Sequence, residues 1–371
     1  MLDVKFKLAA GHTSERSWME PSPLRKLFWN VTYACNYRCP ICFTDAARER
    51  RDELSADEAL AFVKRARAAG VEDIIISGGE PFCRADMVDI LAAMAAEGIT
   101  ARIASNGSLL DAELLARLRE QTLTGSFQIS LDTLDPELYG RVHGVPADRL
   151  DAALDALRRI RAHGFHTTVS TRLTPLTLGE IPGLLDRAAD EGWSTVTVHW
   201  PVHNGRTREA FPQDTDFFAL MEPAFEHFAG LRDRWLVETY VPWAPYHPVV
   251  RRFEREMRFV HCGCRAGRDR LTIGPCGQIG ICVCLDVPAA YVGNVRTHAL
   301  AEVYENAPLC RMMRRPAAHG LCADCPNVEV CGGGCRAAAF AVTGRIDGRD
   351  PGCPVYKARS ASAGHAAGVR A

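Results

Sequence analysis

Three cysteines fall within eight residues, in Cys35-Asn-Tyr-Arg-Cys39-Pro-Ile-Cys42. Three thiolates at this C-x3-C-x2-C spacing can wrap one iron–sulfur cluster. A 4Fe–4S cluster ordinarily takes four cysteines, so three leave one iron open to an outside ligand. A zinc knuckle short of a ligand and a set of buried thiols are the alternatives. Zinc favours paired C-x2-C modules, and buried cysteines have no reason to gather directly after a strand-like run.

Eleven of the fifteen cysteines lie between Cys262 and Cys353. A reducing cell interior disfavours disulfides, so such a cluster reads first as metal or redox ligands, and an odd total fits poorly with complete pairing. Cys264 is followed by Gly277 and Cys282, then by Cys322, Cys325, Cys331 and Cys335, and last by Cys353. This spacing alone would also suit a pair of zinc sites. Residues 262–357 have few apolar runs, so they are expected to need metal to fold. Cys83 and Cys310 are read as buried packing.

Other short runs carry groups that hold cofactors. In Ser77-Gly78-Gly79-Glu80-Pro81 the glycines let backbone groups approach a ligand closely, and Glu80 adds an acceptor. Ser105-Asn106-Gly107 and Ser130-Leu131-Asp132 offer small polar side chains, and Arg141 follows in Gly-Arg-Val-His-Gly. Each of these alone could be a loop cap.

Something must bring these runs together. Strand-like runs occur at 27–33, 73–77, 100–105, 127–131, 166–171 and 194–199, with amphipathic helical stretches between them. Ser55 and Glu58 have the spacing of a capping box, and Gly70, Gly98, Gly164 and Gly192 close four of the helices. Alternating β and α implies a parallel sheet. Six strands are too few for a closed eight-stranded barrel, which leaves a doubly wound sheet or an incomplete barrel. Either one puts chemistry at the C-terminal ends of the strands, where the polar runs fall.

The chain has 371 residues, 47% hydrophobic and 24% charged, enough to bury a full core. Lys+Arg 44 against Asp+Glu 45 gives net charge −1 and no support for nucleic-acid binding through bulk charge. No apolar run approaches the roughly 20 residues of a membrane span, and the N-terminus lacks a secretory signal. A soluble, cytoplasmic protein is expected. Its expected divisions are an N-terminal extension (1–26), a βα region (27–215), a linker region (216–261), a cysteine-rich domain (262–357) and a disordered tail (358–371). Residues 239–250, rich in proline and aromatics, read as a rigid surface linker or as an aromatic wall near a substrate.

The three-cysteine loop after the first strand, with GGEP ending the second, resembles the signature of radical S-adenosylmethionine (radical SAM) enzymes. The cysteines from Cys264 to Cys353, with the CGGGC segment at 331–335, resemble the seven-cysteine SPASM extension of that superfamily. The resemblance implies an α/β fold: a partial (β/α)6 TIM-like barrel followed by a small cysteine-rich iron–sulfur domain. It implies that Cys35, Cys39 and Cys42 hold a 4Fe–4S cluster whose open iron binds SAM. Phe43, Gly78, Gly79, Glu80, Pro81, Ser105, Asn106, Ser130, Asp132 and Arg141 would surround SAM. Two auxiliary clusters would follow, an outer one on Cys322, Cys325, Cys331 and Cys353 and an inner one on Cys264, Cys282 and Cys335. Cys262 would be the fourth inner ligand. Cys284 and Cys276 are surplus to the pattern: either could be a competing ligand or a free thiol, and Cys284 could also serve as a hydrogen-atom donor. Val283 stands where peptide-oxidising relatives carry an Asp base.

The implied activity is reductive cleavage of SAM to a 5′-deoxyadenosyl radical, which takes a hydrogen atom from a substrate C–H bond. A flavodoxin- or ferredoxin-type donor would supply the electron. The substrate is expected to be a ribosomally made peptide, to be oxidised, cross-linked or epimerised. The stretch before Leu27 leaves no room for a fused leader-binding domain, so a separate delivery protein could bring the peptide. Oxidation or epimerisation of a small metabolite (a sugar, tetrapyrrole or amino acid derivative) is the alternative. A non-catalytic iron–sulfur or zinc protein is a third reading, against which the GGEP loop and the βα pattern argue.

Overall fold

The computed structural model describes residues 3–8, 22–46, 52–121, 123–200, 202, 205–207, 215–231, 236–315, 322–355 and 357. The expected disordered tail, 358–371, lies outside the described residues. Twelve strands are described: β1 (Asp3–Lys7), β2 (Lys26–Asn30), β3 (Asp73–Ser77), β4 (Thr100–Ser105), β5 (Gly125–Ser130), β6 (His166–Arg172), β7 (Thr195–His199), β8 (Leu236–Thr239), β9 (Arg258–His261), β10 (Arg270–Ile273), β11 (Gln278–Gly280) and β12 (Tyr291–Asn294). They form one sheet in the order β12-β11-β10-β2-β3-β4-β5-β6-β7-β1-β8-β9.

The six strands expected from the sequence are β2 to β7, all mutually parallel. Six helices return the chain in five crossovers: α1 (Ala56–Ala68), α2 (Met87–Ala96), α3 (Ala112–Glu120), the pair α4 (Pro136–His143) and α5 (Arg149–Ala162), and α6 (Ile181–Glu191). Side chains alternate along each strand. One set, including Trp29, Ile74, Ile76, Phe127, Ile129 and Val196, is fully buried in the hydrophobic core. The other set, including Gln128, Ser130, Ser170 and Thr197, faces an interior cavity. Ser55 caps α1 as expected: its hydroxyl accepts from Glu58 N, and Glu58 accepts from Ser55 N.

Two stretches differ from expectation. The N-terminal extension carries β1, which pairs antiparallel with both β7 and β8. The stretch 216–261, expected to be a linker, supplies β8 and β9 to the sheet and Phe218, Phe225, Phe228 and Phe253 to the core. The cysteine-rich region is stitched to the barrel as well. Its strand β10 pairs parallel with β2, and the β11 and β12 hairpin continues from there.

Candidate functional site

The three-cysteine loop leaves β2 and is clamped from three sides. The loop after β3 packs against it so closely that a Cβ on Gly79 would lie 2.0 Å from Ala34 O. Gly79 N and Glu80 N donate to Thr32 O and Ala34 O. The two glycines therefore admit the cysteine loop, where the sequence had suggested a ligand. Gly144 ends α4 in the left-handed conformation, and a Cβ there would meet Arg38 O at 2.6 Å. Arg206 donates to Cys39 O at 2.8 Å and pairs with Asp45 at 2.9 Å. Nothing in the sequence marks Arg206, which lies far along the chain from this loop.

Each sulfur of the loop has a polar neighbour. Tyr37 N donates to Cys35 Sγ and Ala46 N to Cys42 Sγ, both at 3.4 Å. His143 Nδ1 lies 3.8 Å from Cys39 Sγ. Burial pushes the Cys35 thiol up to about 11 and the Cys39 thiol up to about 12. Such thiols become thiolates only beside a positive centre, which iron supplies.

His143 is a second residue that sequence reasoning missed. It is 3% exposed, stacks on Tyr139 at 4.1 Å and approaches Asp132 Oδ2 at 3.1 Å. That contact is short enough for an ion pair, but its angle is too poor for a hydrogen bond. Arg141, expected to reach SAM, is instead exposed on α4 and lies off the cavity wall. The two are two residues apart on one helix, which puts them on different faces.

Glu80 is 1% exposed. Its carboxylate accepts from Ser105 Oγ at 3.0 Å, Asn106 N at 2.8 Å and Phe82 N at 3.2 Å. Burial outweighs these donors and raises the group to about 7. Asn106 is likewise held inside the protein, donating to Asn36 Oδ1 at 2.8 Å. Asp132 accepts from Thr171 Oγ1 and Arg172 N. Arg172 lays its guanidinium 4.9 Å from the Phe43 ring centre.

One cavity, open to solvent, collects these groups. Cys35, Cys39, Cys42, Phe43, Gly78, Gly79, Glu80, Ser105, Asn106, Ser130 and Asp132 all line it. Pro81 is buried at the start of a short 3-10 turn and lies off its wall.

A second, smaller cavity is ringed by Cys322, Cys325, Cys331 and Cys353, the four expected outer ligands. Tyr246 and Trp243 also line it, so the aromatic stretch 239–250 walls a cysteine site. Asp350 ties the two cysteine sets together by accepting from Trp243 Nε1 at 2.9 Å and Cys335 N at 2.6 Å. Cys335 lies within electrostatic reach of Cys264 and Cys282. Cys284 donates to Cys282 Sγ and holds that thiol low. The hydrogen-bond partner of Cys262, the expected fourth ligand, is Tyr240. Of the three other surplus thiols, Cys276 and Cys310 are buried and Cys83 is exposed, contrary to its reading as packing.

Among the described residues no three His, Cys, Asp or Glu side chains converge tightly enough to hold a single ion, as tetrahedral zinc requires. The cysteines line cavities, an arrangement that fits a cluster several ångströms across with soft thiolate donors. Among the described residues no helix is long and apolar enough to cross a membrane.

A parallel partial barrel whose strand ends open onto a three-cysteine loop, continued by a cysteine-rich extension, defines a radical SAM fold. The chain belongs to the Radical SAM superfamily, whose family model matches residues 29–188, and it carries the SPASM iron–sulfur cluster-binding domain, matched at 262–326. Its cofactors are SAM, a 4Fe–4S cluster and auxiliary iron–sulfur clusters. An AdoMet-dependent heme synthase of Methanosarcina barkeri is 28% identical over 346 residues, covering 90% of this chain and 97% of that protein. The mycofactocin maturase MftC of Mycobacterium ulcerans is 28% identical over 330 residues, covering 88% and 87%. The SAM-bound crystal structure of SuiB from Streptococcus suis aligns with a TM-score of 0.67 at 20% identity, over 90% of this chain and 78% of that one.

Proposed function

We propose that the protein uses SAM radical chemistry to mature a ribosomally made peptide, by net oxidation, cross-linking or epimerisation. The observation that carries this reading is the single cavity that joins the three-cysteine loop to the polar barrel interior. It opens to solvent and runs from the three-cysteine loop to polar side chains of β5, β6 and β7 beyond it, so a second reactant can reach the loop from outside. Cys35, Cys39 and Cys42 would hold the SAM-binding cluster, with Glu80 accepting from the SAM ammonium group and Phe43 beside the adenine. The outer four cysteines would hold one auxiliary cluster; Cys264, Cys282 and Cys335, with Cys284, would hold another. When bound, SAM and its cluster supply a carbon-centred radical that removes a hydrogen atom from an unactivated C–H bond. The chain contributes orientation and exclusion of water. A flavodoxin- or ferredoxin-type donor would deliver the electron, and a separate protein could deliver the peptide.

A small metabolite, such as a tetrapyrrole, is the second reading. The match that spans 97% of a heme synthase favours it. The test is anaerobic reconstitution, reduction with dithionite, and addition of SAM with either a short peptide encoded beside the gene or a tetrapyrrole carboxylate. Formation of 5′-deoxyadenosine with a mass change in the peptide is expected. A mass change in the tetrapyrrole alone selects the second reading, and no SAM cleavage removes both.

A further inference from the structure

The barrel interior contains polar groups that the three-cysteine loop does not use. Strands β1 and β7 pair antiparallel, with Lys5 opposite Thr197 and Asp3 opposite His199. Alternation puts these four side chains on one face, and all four line the cavity that holds Cys35, Cys39 and Cys42. Two of their polar atoms are buried and unpartnered among the described residues: Thr197 Oγ1 and His199 Nδ1. An orphaned buried polar atom is costly unless a ligand or water satisfies it.

The charges are also unbalanced. Lys7 pairs with Glu238 at 3.7 Å and Arg102 with Asp73 at 2.7 Å. Lys5 has no hydrogen-bond or ion-pair partner among the described residues and stands over the Tyr240 ring at 4.8 Å. Asp3 and Glu238, which stands opposite Lys5 across the β1–β8 pair, are carboxylates on this face, and Glu238 is the one paired with Lys7. Burial raises the pKa of Asp3 and lowers that of Lys5, and the charge of each draws the other back toward its ionised form. Burial also keeps His199 neutral, so its ring offers a directed donor or acceptor in place of a second charge.

We propose that this inner face of β1 and β7 is a substrate-recognition site that holds a carboxylate, with the Lys5 ammonium as ion-pair partner and Thr197 and His199 as neutral hydrogen-bonding neighbours. Arg172, opposite His199 across the β6–β7 pair and with its guanidinium over Phe43, lines the same cavity, so Lys5 and Arg172 flank the two orphaned atoms, and the two oxygens of a carboxylate can meet one cation and one neutral donor. The inference rests on reading this cavity as the place where substrate meets the radical, and it names the substrate class as a carboxylic acid, free or as an acidic residue. The anchor is outside the three-cysteine loop, so it would fix which C–H bond is presented.

The test uses the full-length reconstituted protein and three probes in calorimetric titration: hippurate, its uncharged amide hippuramide, and phenyl phosphate. Hippurate should bind more tightly than either of the others. Lys5→Met should weaken hippurate about ten-fold or more, the scale of a lost charge-assisted hydrogen bond, and Lys5→Arg should retain most of the binding. Thr197→Val separates recognition from structure: it should weaken hippurate while raising the melting temperature of the ligand-free protein, because an orphaned hydroxyl is removed. Equal binding of hippuramide, tighter binding of phenyl phosphate, or unchanged hippurate binding in Lys5→Met would each overturn the proposal. SAM cleavage by the unaltered protein without any probe is measured in parallel. Its absence would sink the proposed function and leave the hippurate result standing on its own.

Discussion

The barrel and the cysteine-rich region solve the same problem, holding reactive thiols in place, by opposite means. In the barrel, Trp29, Ile74, Ile76, Ile103, Phe127 and Val196 are at most 1% exposed, and the helices carry ordinary caps. Its cysteines occupy a loop on top of a core complete without them. Beyond residue 262 the strands are three or four residues long, and the thiols themselves join the core: Cys282, Cys284, Cys310 and Cys335 are all buried. Consecutive glycines, Gly332, Gly333 and Gly334, take positive φ there and give the chain no rigidity of its own. A cluster in the barrel adds chemistry to a finished fold, whereas in the extension it is part of the fold.

The strongest challenge to this contrast is the triple replacement of Cys35, Cys39 and Cys42 by Ala. Formation of 5′-deoxyadenosine should fall to background, while circular dichroism, melting and the remaining iron stay close to those of the parent. A protein that unfolds on this change would show that the barrel also depends on its cluster.

Next in size is the iron of the extension. With three 4Fe–4S clusters the protein should hold ~12 irons. Cys284→Ala should lose ~4 of them and make residues beyond 262 sensitive to protease, and Cys262→Ala should keep them. The opposite pattern would return Cys262 to the ligand set. Retention of all iron in Cys284→Ala, with loss of solvent deuterium from an epimerised product, would make Cys284 a hydrogen donor.

The same contrast explains what could be read in the sequence. The parallel strands β2 to β7 were legible because short β-rich runs between amphipathic helices are local patterns. Strand β1 was not: DVKFK has only two core residues, and its partners β7 and β8 lie far along the chain. The stretch 216–261 was hidden by its prolines, although its phenylalanines fill the core. Among site residues, cysteine spacing is written locally and was readable. The choice between Arg141 and His143 was not, because it depends on which side of α4 meets the barrel. Arg206 is joined to the cysteine loop by folding alone.

A smaller effect is expected at Glu80. In ligand-free protein burial raises it to about 7 from an ordinary 4.5. The folded protein therefore keeps a proton that the unfolded chain has released. Stability should fall as pH rises between those values and then level off. Glu80→Gln should remove that slope. A cationic SAM ammonium beside the group favours its ionised form, so SAM affinity should rise with pH up to ~7, and Glu80→Gln should weaken binding about ten-fold. A pH-independent SAM affinity in the unaltered protein, measured by calorimetry, would assign Glu80 to holding Ser105 and Asn106 alone.

The smallest expected effect sharpens the boundary between the two regions. Ser55 caps α1 inside the barrel, and Glu58, its capping partner, also pairs with Arg296 of the extension at 2.6 Å. Ser55→Ala removes the hydroxyl that accepts from Glu58 N and should cost about 1 kcal/mol. For a domain of this size that lowers melting by roughly 2–4 °C. The Glu58–Arg296 pair is exposed, so little further loss should come through it. If the barrel stands on its own core, calorimetry should show only this shift, with iron content and SAM cleavage those of the parent. Loss of auxiliary iron in Ser55→Ala would mean that this cap braces the extension, and that the two regions fold as one unit.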